Sequence, residues 1–430
     1  MKIGLEIHVA LPTKSKLFCR CSTDTSKEPN VNICPTCTGL PGSRPLLNSE
    51  AVRIAKSIAS VLNCKIKNPI SFIRKVYFYP DLPKSFQITQ LSDSIGSDGY
   101  LQLETKRIGI MRVQIEEDPA KLVRKEDYSL IDFNRSGMPL VEIVTSPDIK
   151  NLDELREAVF YLRSILYYQG VDIAQEIKAD LNISMDGDRV EIKNITGIKN
   201  LVDAAEYEMK RQTELLLSGK TPQKETRAYD ETNRITRSLR KKESEEEYGF
   251  IYEPDLANYE IEKMQINEIV IPSETAKELG KRYDYSYKTI MDIVAFDREV
   301  LSLIEATAGR YPFRVIIDTL ESVEKSHVAP ISIADFEKLM KISTEGIELT
   351  KGVIKDVLLG KETGPRITSD AEIEEAIKKI IRSDPSLLQR YTENKNVLNF
   401  IIGRIAKEYR LQPKDVSKRL EDVVRDMLGH

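Results

Sequence analysis

The 430-residue sequence has no uninterrupted apolar run long enough to span a membrane. It also lacks a Gly-x-x-x-x-Gly-Lys-Ser/Thr loop, a Rossmann glycine fingerprint, a zinc-protease motif and a Ser-Ser-Lys type amidase signature. Those absences exclude P-loop and Rossmann nucleotide sites, zinc proteolysis and a self-contained amidase. Nor is there an excess of one charge: 64 Lys plus Arg stand against 68 Asp plus Glu, a net charge of −4. Global charge therefore does not announce nucleic-acid binding, and any such contact has to be made by local patches. With 41% hydrophobic, 31% charged and 7% aromatic residues, the composition is that of an ordinary soluble protein. No apolar signal segment opens the chain, so a cytoplasmic protein without a membrane partner is expected.

Only five cysteines are present, and four fall within nineteen residues. Cys19-x-Cys21 and Cys34-x-x-Cys37 are separated by twelve residues, a ligand set sized for tetrahedral zinc. Two disulfides or plain core thiols are the alternatives; disulfides suit small exported domains better than a long chain rich in Lys and Glu. Four thiolates would leave no open coordination position, so such a zinc holds loops together and does not activate water. Cys64, at the end of an apolar helical pattern, reads as a small buried hydrophobe.

In Ile3–Val9 the side chains alternate, placing Gly4, Glu6 and His8 on one face and Leu5, Ile7 and Val9 on the other. A carboxylate and an imidazole two residues apart on a strand can share one divalent ion. The stretch from Arg74 to Gln90 is polar, aromatic and proline-bearing, an extended loop between two short strands. Its Lys75, Tyr77 and Lys84 offer cations and a phenol to an anionic or amide-bearing substrate. Arg107 to Asp118 is an apolar strand ending in three acids, of which Glu116 and Asp118 can converge while Glu117 faces elsewhere. Glu142 sits alone among branched residues, so it either meets a base or an ion, or lies on an edge strand facing solvent. Between these runs, Asn134-Arg135-Ser136-Gly137 forms a polar turn.

Helices are expected after the Asn48 cap and from Leu152 to Tyr168, with Gly170 as C-cap. A strand from Glu176 to Ser184 puts Glu176, Lys178, Asp180, Asn182 and Ser184 on one polar face, which suits an ATP-metal or carboxylate site. Asp203 and Glu206 form a capping box that opens the next helix, closed by Gly219. Arg-rich strands or loops follow at 226–230 and 235–243, the acidic run 243–247 reads as solvated, and 248–256 as a second rigid aromatic and acidic loop. Beyond residue 272 the pattern is helix after helix, including a capping box at Ser369–Glu372 and turns at 384–385 and 394–396. Residues 401–430 carry seven Lys or Arg against five Asp or Glu, a slightly basic end able to touch phosphates.

Together, the opening Gly4-Leu5-Glu6-Ile7-His8-Val9, the four cysteines, Tyr77–Lys84, Glu116-Glu117-Asp118, Asp132–Gly137 and Tyr252–Leu256 resemble one family in order and along essentially the whole chain. It is the family of B subunits of aspartyl/glutamyl-tRNA(Asn/Gln) amidotransferases, GatB/GatE, and of its two branches the B type. The resemblance implies an α+β fold: a cradle of mixed β-sheet and helices, with a glutamine-synthetase-like kinase fold, at 1–262; a short helical linker at 263–330; and a YqeY-like helical tail that grips tRNA at 331–430. It further implies an enzyme that uses ATP and Mg2+ to phosphorylate the side-chain carboxylate of Asp-tRNA(Asn) or Glu-tRNA(Gln). Ammonia then displaces the phosphate; it is released from glutamine by the amidase or A subunit, which assembles with a small C subunit.

Under that resemblance Glu6, His8, Glu116 and, with them, Glu142 are the catalytic and magnesium-binding set. Asp180, Asn182, Arg135 and Glu176 complete the nucleotide pocket. Lys75, Tyr77 and Lys84 line the substrate or ammonia route, and Cys19, Cys21, Cys34 and Cys37 hold zinc. Two departures stand out: 263–330 is short for a full helical domain, and Ala179 stands where many relatives have Cys. There is no room for the extra domain of a related archaeal protein that has an asparaginase-like partner and serves tRNA(Gln) alone. The competing reading is a non-catalytic tRNA-binding scaffold in which the acidic cluster is structural.

Overall fold

The structure is a computed structural model that describes residues 1–172, 177–240, 249–266, 269–326, 331–345, 347–360, 370–384, 387, 397–409 and 413–428. It forms two compact units, Met1–Arg298 and Glu299–His430. The first is mixed α+β and the second is all helical. Residues 263–330 are shared between them, since the helices at Pro272–Tyr283 and Tyr287–Val294 belong to the first unit.

The strands of the first unit are β1 (Lys2–Ala10), β2 (Lys65–Ile66), β3 (Ile73–Val76), β4 (Phe86–Thr89), β5 (Gly96–Gln102), β6 (Arg107–Glu117) and β7 (Lys121–Arg124). They continue with β8 (Ser129–Asp132), β9 (Pro139–Thr145), β10 (Lys178–Ser184), β11 (Val190–Thr196), β12 (Glu225–Asp230), β13 (Ile235–Arg240) and β14 (Gly249–Tyr252). Nine of them make one sheet in the order β13-β12-β11-β10-β1-β9-β6-β5-β2, with β1 at its centre. The three long helices, α1 (Ser49–Val61), α2 (Leu152–Tyr168) and α3 (Ile198–Leu217), lie on its apolar face, α1 against β5 and β6 and α3 against β10 and β11.

The period of two explains why only one face is covered. Ile3, Leu5, Ile7 and Val9 of β1 and Ala179, Leu181 and Ile183 of β10 are buried, whereas Glu6, His8, Asp180 and Asn182 are half-buried on the opposite face. Asn48 caps α1 by accepting from the N–H groups of Glu50 and Ala51, as its position predicts. Gly170, with φ 92°, supplies the left-handed turn after α2. Cys64 is half-buried against the glycine-rich β5, and burial, assisted by Asp98, pushes its thiol up to about 12.

Two expectations are corrected. The α3 helix starts at Ile198, not at Asp203, and its N-cap is Gly197 with no side-chain bond. Burial of Leu201, Val202, Ala204 and Ala205 against β10 and β11 sets the start, which leaves Asp203 within the helix. The aromatic stretch before Glu253 is not all loop: Gly249–Tyr252 is β14, antiparallel to β3 in a three-stranded sheet with β4. Buried Glu253 anchors its end, accepting a fork of hydrogen bonds from Arg74 at 2.8 and 2.8 Å. The acidic run 243–247 and the turn at 394–396 lie outside the described residues, as do Ser369 of the expected capping box and Pro385.

The first unit continues with α4 (Pro272–Tyr283) and α5 (Tyr287–Val294), docked on α2 through the Tyr161–Tyr287 hydroxyl pair and the Ser164 hydroxyl on Ala295 O. From Arg298 the helices are α6 (Arg298–Thr307), α7 (Phe313–Ser326), α8 (Ile333–Thr344), α9 (Lys351–Leu358), α10 (Asp370–Ser383), α11 (Val397–Tyr409) and α12 (Pro413–Leu428). The helical unit holds two separate apolar cores, one around Leu339, Ile354 and Val357, the other around Ile377, Ile405 and Val424. No described helix is long and apolar enough to cross a membrane.

One buried ionic network fastens α3 to the sheet edge. Glu208 is fully buried and accepts from Arg211, Gln212 and Thr236, with Arg227 at 3.5 Å. Removing one member of such a set leaves charge uncompensated, at a cost of about 3–5 kcal/mol. Glu208→Ala should therefore lower the urea midpoint of the α+β unit by an amount matching at least about 3 kcal/mol. A midpoint within error of the parent would show that Glu225, which also pairs with both arginines, suffices alone.

Candidate active site

The polar face of the central strands gathers the candidate residues. β1 pairs with β10 on one side and β9 on the other, setting Glu6 opposite Asp180 and Val144, and His8 opposite Lys178 and Glu142. The Leu5 N–H donates to Thr145 Oγ1 at 2.9 Å, within this pairing. On the far side of β9, Gln114 of β6 is opposite Glu142. Residues more than a hundred positions apart thus meet: His8 Nδ1 is 3.2 Å from Glu116 Oε1, and its Nε2 is 3.6 Å from Glu6 Oε1.

Glu142 is on a central strand, not an edge, and it meets a base and an amide: Arg112 Nη2 donates to it at 3.3 Å and Gln114 Nε2 at 2.7 Å. Ligand atoms of Glu6, His8 and Glu142 all lie within 4.8 Å of one another, a set able to hold a metal ion. Glu116 stands behind His8 and is itself held by Thr89, whose Oγ1 donates to Oε2 at 3.2 Å. A carboxylate on one imidazole nitrogen fixes the ring and directs the other nitrogen outward.

The electrostatics follow from burial and crowding. Burial works against charge on His8, but its bonds to Glu116 and Glu6 and the fields of Glu116 and Glu142 outweigh that and push its pKa up to about 11. For Glu142, burial and then the charges of Glu116 and Glu6 push the carboxyl up to about 7, against His8 and Arg112. Glu6 is lowered: burial opposes this, but the His8 bond and charge, with Arg112 and Lys193, prevail. Asp118 is raised to about 6 by burial, which outweighs Arg135 and Lys178.

The other sequence candidates divide into those near this cluster and those apart from it. Asp180 pairs with Lys193 at 3.6 Å across from Glu6, and Asn182 lies one pair further along, opposite Gly4 and Glu191. Glu117 does face elsewhere, accepting from Lys84 Nζ and from the Ile88 N–H. Lys84 lies over the rings of Phe18 and Phe86, at 6.0 and 5.5 Å. Lys75 is on β3 with its ammonium 5.9 Å from the Tyr77 ring centre. Arg135 pairs with Asp118 at 3.2 Å and donates to the carbonyls of Pro119 and Ala120. Glu176 lies outside the described residues.

Three members of the cluster went unread in the sequence: Arg112, Gln114 and Lys193. The signal for the first two was present, since Arg112, Gln114 and Glu116 alternate on β6 and so share a face. Three buried polar atoms on this face have no partner among the described residues: Arg112 Nε, Gln114 Oε1 and Asn182 Oδ1. Such atoms cost stability unless a ligand or water meets them.

The cysteines form a second cluster, with all four Sγ atoms within 4.8 Å. None is in a disulfide. Cys37 is drawn down to about 4, chiefly by the hydrogen bond from Cys19, against burial and with help from the Cys34 N–H and Lys16. Cys19 is raised by that same bond and by burial, and burial takes Cys21 up to about 11. Four sulfurs packed this closely, with Cys37 drawn down and Cys19 and Cys21 raised, are a set that a tetrahedral cation would complete by displacing the thiol protons.

His8 gives a direct test of this electrostatic reading. Its folded pKa of about 11 exceeds the ordinary 6.5, so its charge stabilises the fold fully below 6.5, and that contribution is lost as pH rises towards 11. The sequence has three histidines, so the His8 ring signals in NMR spectra are readily assigned. In metal-stripped protein they should remain those of imidazolium through neutral pH, and Glu116→Gln should lower the midpoint by about 1–3 pH units. A parent midpoint near 6.5 would mean that the carboxylates do not hold the proton.

Comparison with known proteins identifies the family. A family model described as the GatB/GatE catalytic domain matches residues 1–267. The chain is 34% identical over 472 residues to the B subunit of the aspartyl/glutamyl-tRNA(Asn/Gln) amidotransferase of Carboxydothermus hydrogenoformans, covering 98% of both. Proteins of the same name from Sulfurisphaera tokodaii and Clostridium tetani are each 35% identical, covering 95% of both chains in the first case and 99% of this chain and 98% of the relative in the second. A family model over more than half of the chain, with relatives of this identity along nearly its whole length, leaves one conclusion: the chain belongs to the GatB/GatE family of amidotransferase B subunits.

Proposed function

We propose that this chain activates the side-chain carboxylate of Asp or Glu esterified to tRNA(Asn) or tRNA(Gln), using ATP, and that ammonia then replaces the phosphate to give the amide. The observation that carries this reading is the Glu6–His8–Glu142 cluster on the polar, helix-free face of the sheet. A carboxylate is a poor electrophile until phosphorylation gives it a leaving group, and phosphoryl transfer depends on alignment and charge neutralisation.

Two carboxylates and an imidazole suit a divalent cation; the oxygens favour Mg2+, and the imidazole also admits Mn2+. Such an ion would neutralise phosphate oxygens. Glu6, His8 and Glu142 are its proposed ligands, with Glu116 holding the His8 ring from behind. Arg112 and Lys193 flank the cluster on β6 and β11 and add positive charge where a polyphosphate would lie. Asp180, Asn182, Arg135 and Glu176 are assigned to the nucleotide, and Lys75, Tyr77 and Lys84 to the route of substrate or ammonia. Residues 1–262 would be the glutamine-synthetase-like kinase cradle, 263–330 a linker and 331–430 the YqeY-like tail that grips tRNA. The amidase partner would supply ammonia, and a small C subunit would complete the heterotrimer.

The test uses the assembled complex with Asp-tRNA(Asn) or Glu-tRNA(Gln), ATP, Mg2+ and ammonium in place of glutamine. Glu6→Gln and Glu142→Gln should each lower kcat by about 10²-fold or more, the scale of single electrostatic groups, with tRNA affinity nearly unchanged. Full amidation by both variants would favour a scaffold whose acidic cluster is structural.

Zinc is proposed for Cys19, Cys21, Cys34 and Cys37. Protein purified without added metal should carry about one zinc per chain, and Cys34→Ser should lose most of it together with thermal stability. A zinc content near zero under reducing conditions would make these residues ordinary core thiols.

A further inference from the structure

Lys16 is one of the largest fully buried side chains among the described residues, with 0% of its surface exposed. Its ammonium donates to Cys37 Sγ at 3.5 Å and to Phe133 O at 3.1 Å. Among the described residues no carboxylate lies within ion-pair distance of it. A buried ammonium is costly unless an anion meets it. The metal-free cluster offers it one sulfur, Cys37 Sγ, whereas a zinc ion with four thiolates carries two net negative charges.

The same side chain reaches the turn between β8 and β9. Phe133 O begins that turn; Ser136 Oγ donates to Cys37 O at 2.9 Å, and the Leu17 N–H donates to Gly137 O at 2.8 Å. Gly137 has φ +84°, and a Cβ there would stand 3.6 Å from both Cys37 Cβ and Lys16 Cδ. Its N–H donates to Asp118 O at 2.9 Å, and Arg135 within the turn pairs with the Asp118 carboxylate. Asp118 follows the end of β6, two residues beyond the Glu116 that holds His8.

We infer that Lys16 is the buried counter-cation of the cysteine cluster, and that through it a bound zinc fixes the Phe133–Gly137 turn and hence the Arg135–Asp118 pair beside the candidate site. The inference rests on the zinc reading. It makes Lys16 a positioning residue: it touches neither nucleotide nor substrate, and acts by holding the turn. Outer partners of a metal centre typically change metal affinity by about 10–100-fold when removed.

The experiment compares Lys16→Met with the parent in the assembled complex. Lys56→Met serves as control: Lys56 is also buried, but among the described residues its ammonium meets only the carbonyls of Ile261, Glu262 and Met264. Zinc transfer to a chromogenic chelator should show at least about tenfold weaker retention in Lys16→Met and parental retention in Lys56→Met, even where both lower Tm. Hydrogen exchange across residues 131–138 should rise in Lys16→Met with zinc still bound, and in the parent once zinc is stripped. A parent without zinc overturns the zinc reading and this inference with it. A zinc-bearing parent with equal retention in Lys16→Met, or a stripped parent with unchanged exchange at 131–138, overturns the inference alone. The stripped-parent measurement stands even if Lys16→Met does not fold.

Discussion

Everything at the candidate site depends on one imidazole held among carboxylates at the centre of a sheet. His8 is fixed by Glu116 on one nitrogen and faces Glu6 on the other. That arrangement requires β1 to lie between β10 and β9, and β9 to lie beside β6, in the register observed. Sliding any of these strands by one residue would turn its polar residues into the helix-covered core and its Ile, Leu and Val side chains into the site. The apolar face therefore enforces the polar one. Burial of Leu5, Ile7, Leu181 and Ile183 under the helices selects the same register that brings the ionisable groups together.

Strand-local features were legible in the sequence. The alternation in Ile3–Val9 puts Glu6 and His8 on a common face without knowledge of the fold, and the spacing of Cys19, Cys21, Cys34 and Cys37 marks a ligand set by itself. What could not be read is strand adjacency. Glu116 meets His8 across 108 residues of sequence, and Lys193 meets Asp180 only because β11 is the neighbour of β10. For Glu142 the residue pattern alone left edge strand and charged partner equally open, and sheet order decides for the partner. The start of α3 was misread for a related reason: a local cap at Asp203 competed with burial against two strands distant in sequence, and burial prevailed.

The helix-free face also explains where polar atoms are left without partners. A sheet with helices on both faces would have filled these positions with Val and Ile. Here Arg112, Gln114 and Glu142 form a layer only partly satisfied from within, with Arg112 Nε and Gln114 Oε1 lacking partners among the described residues. Stability alone gives no reason to keep such atoms buried on a central strand, since apolar residues of similar size would pack there at less cost. Their persistence suits a surface built to meet a polar ligand, and the three-stranded sheet bearing Thr89 and Lys75 stands beside it.

Charge counting within the ion-paired set gives the final step. Glu6, Glu116, Glu142, Asp180 and Glu191 bring five negative charges; His8, Arg112 and Lys193 bring three positive ones. The excess of two is poorly tolerated at partial burial, where like charges repel strongly. The protein relieves it at the most enclosed member, for Glu142 is pushed up to about 7 and so holds a proton part of the time near neutrality. A divalent cation between Glu6, His8 and Glu142 would take over that role, and its entry would release the His8 proton as well as the one Glu142 holds, because an imidazole ligates only when neutral. The same count favours an anionic ligand only after such a cation has entered, because Arg112 and Lys193 are already engaged by Glu142, Asp180 and Glu191. A phosphate arriving before such a cation would face that excess of carboxylates unaided.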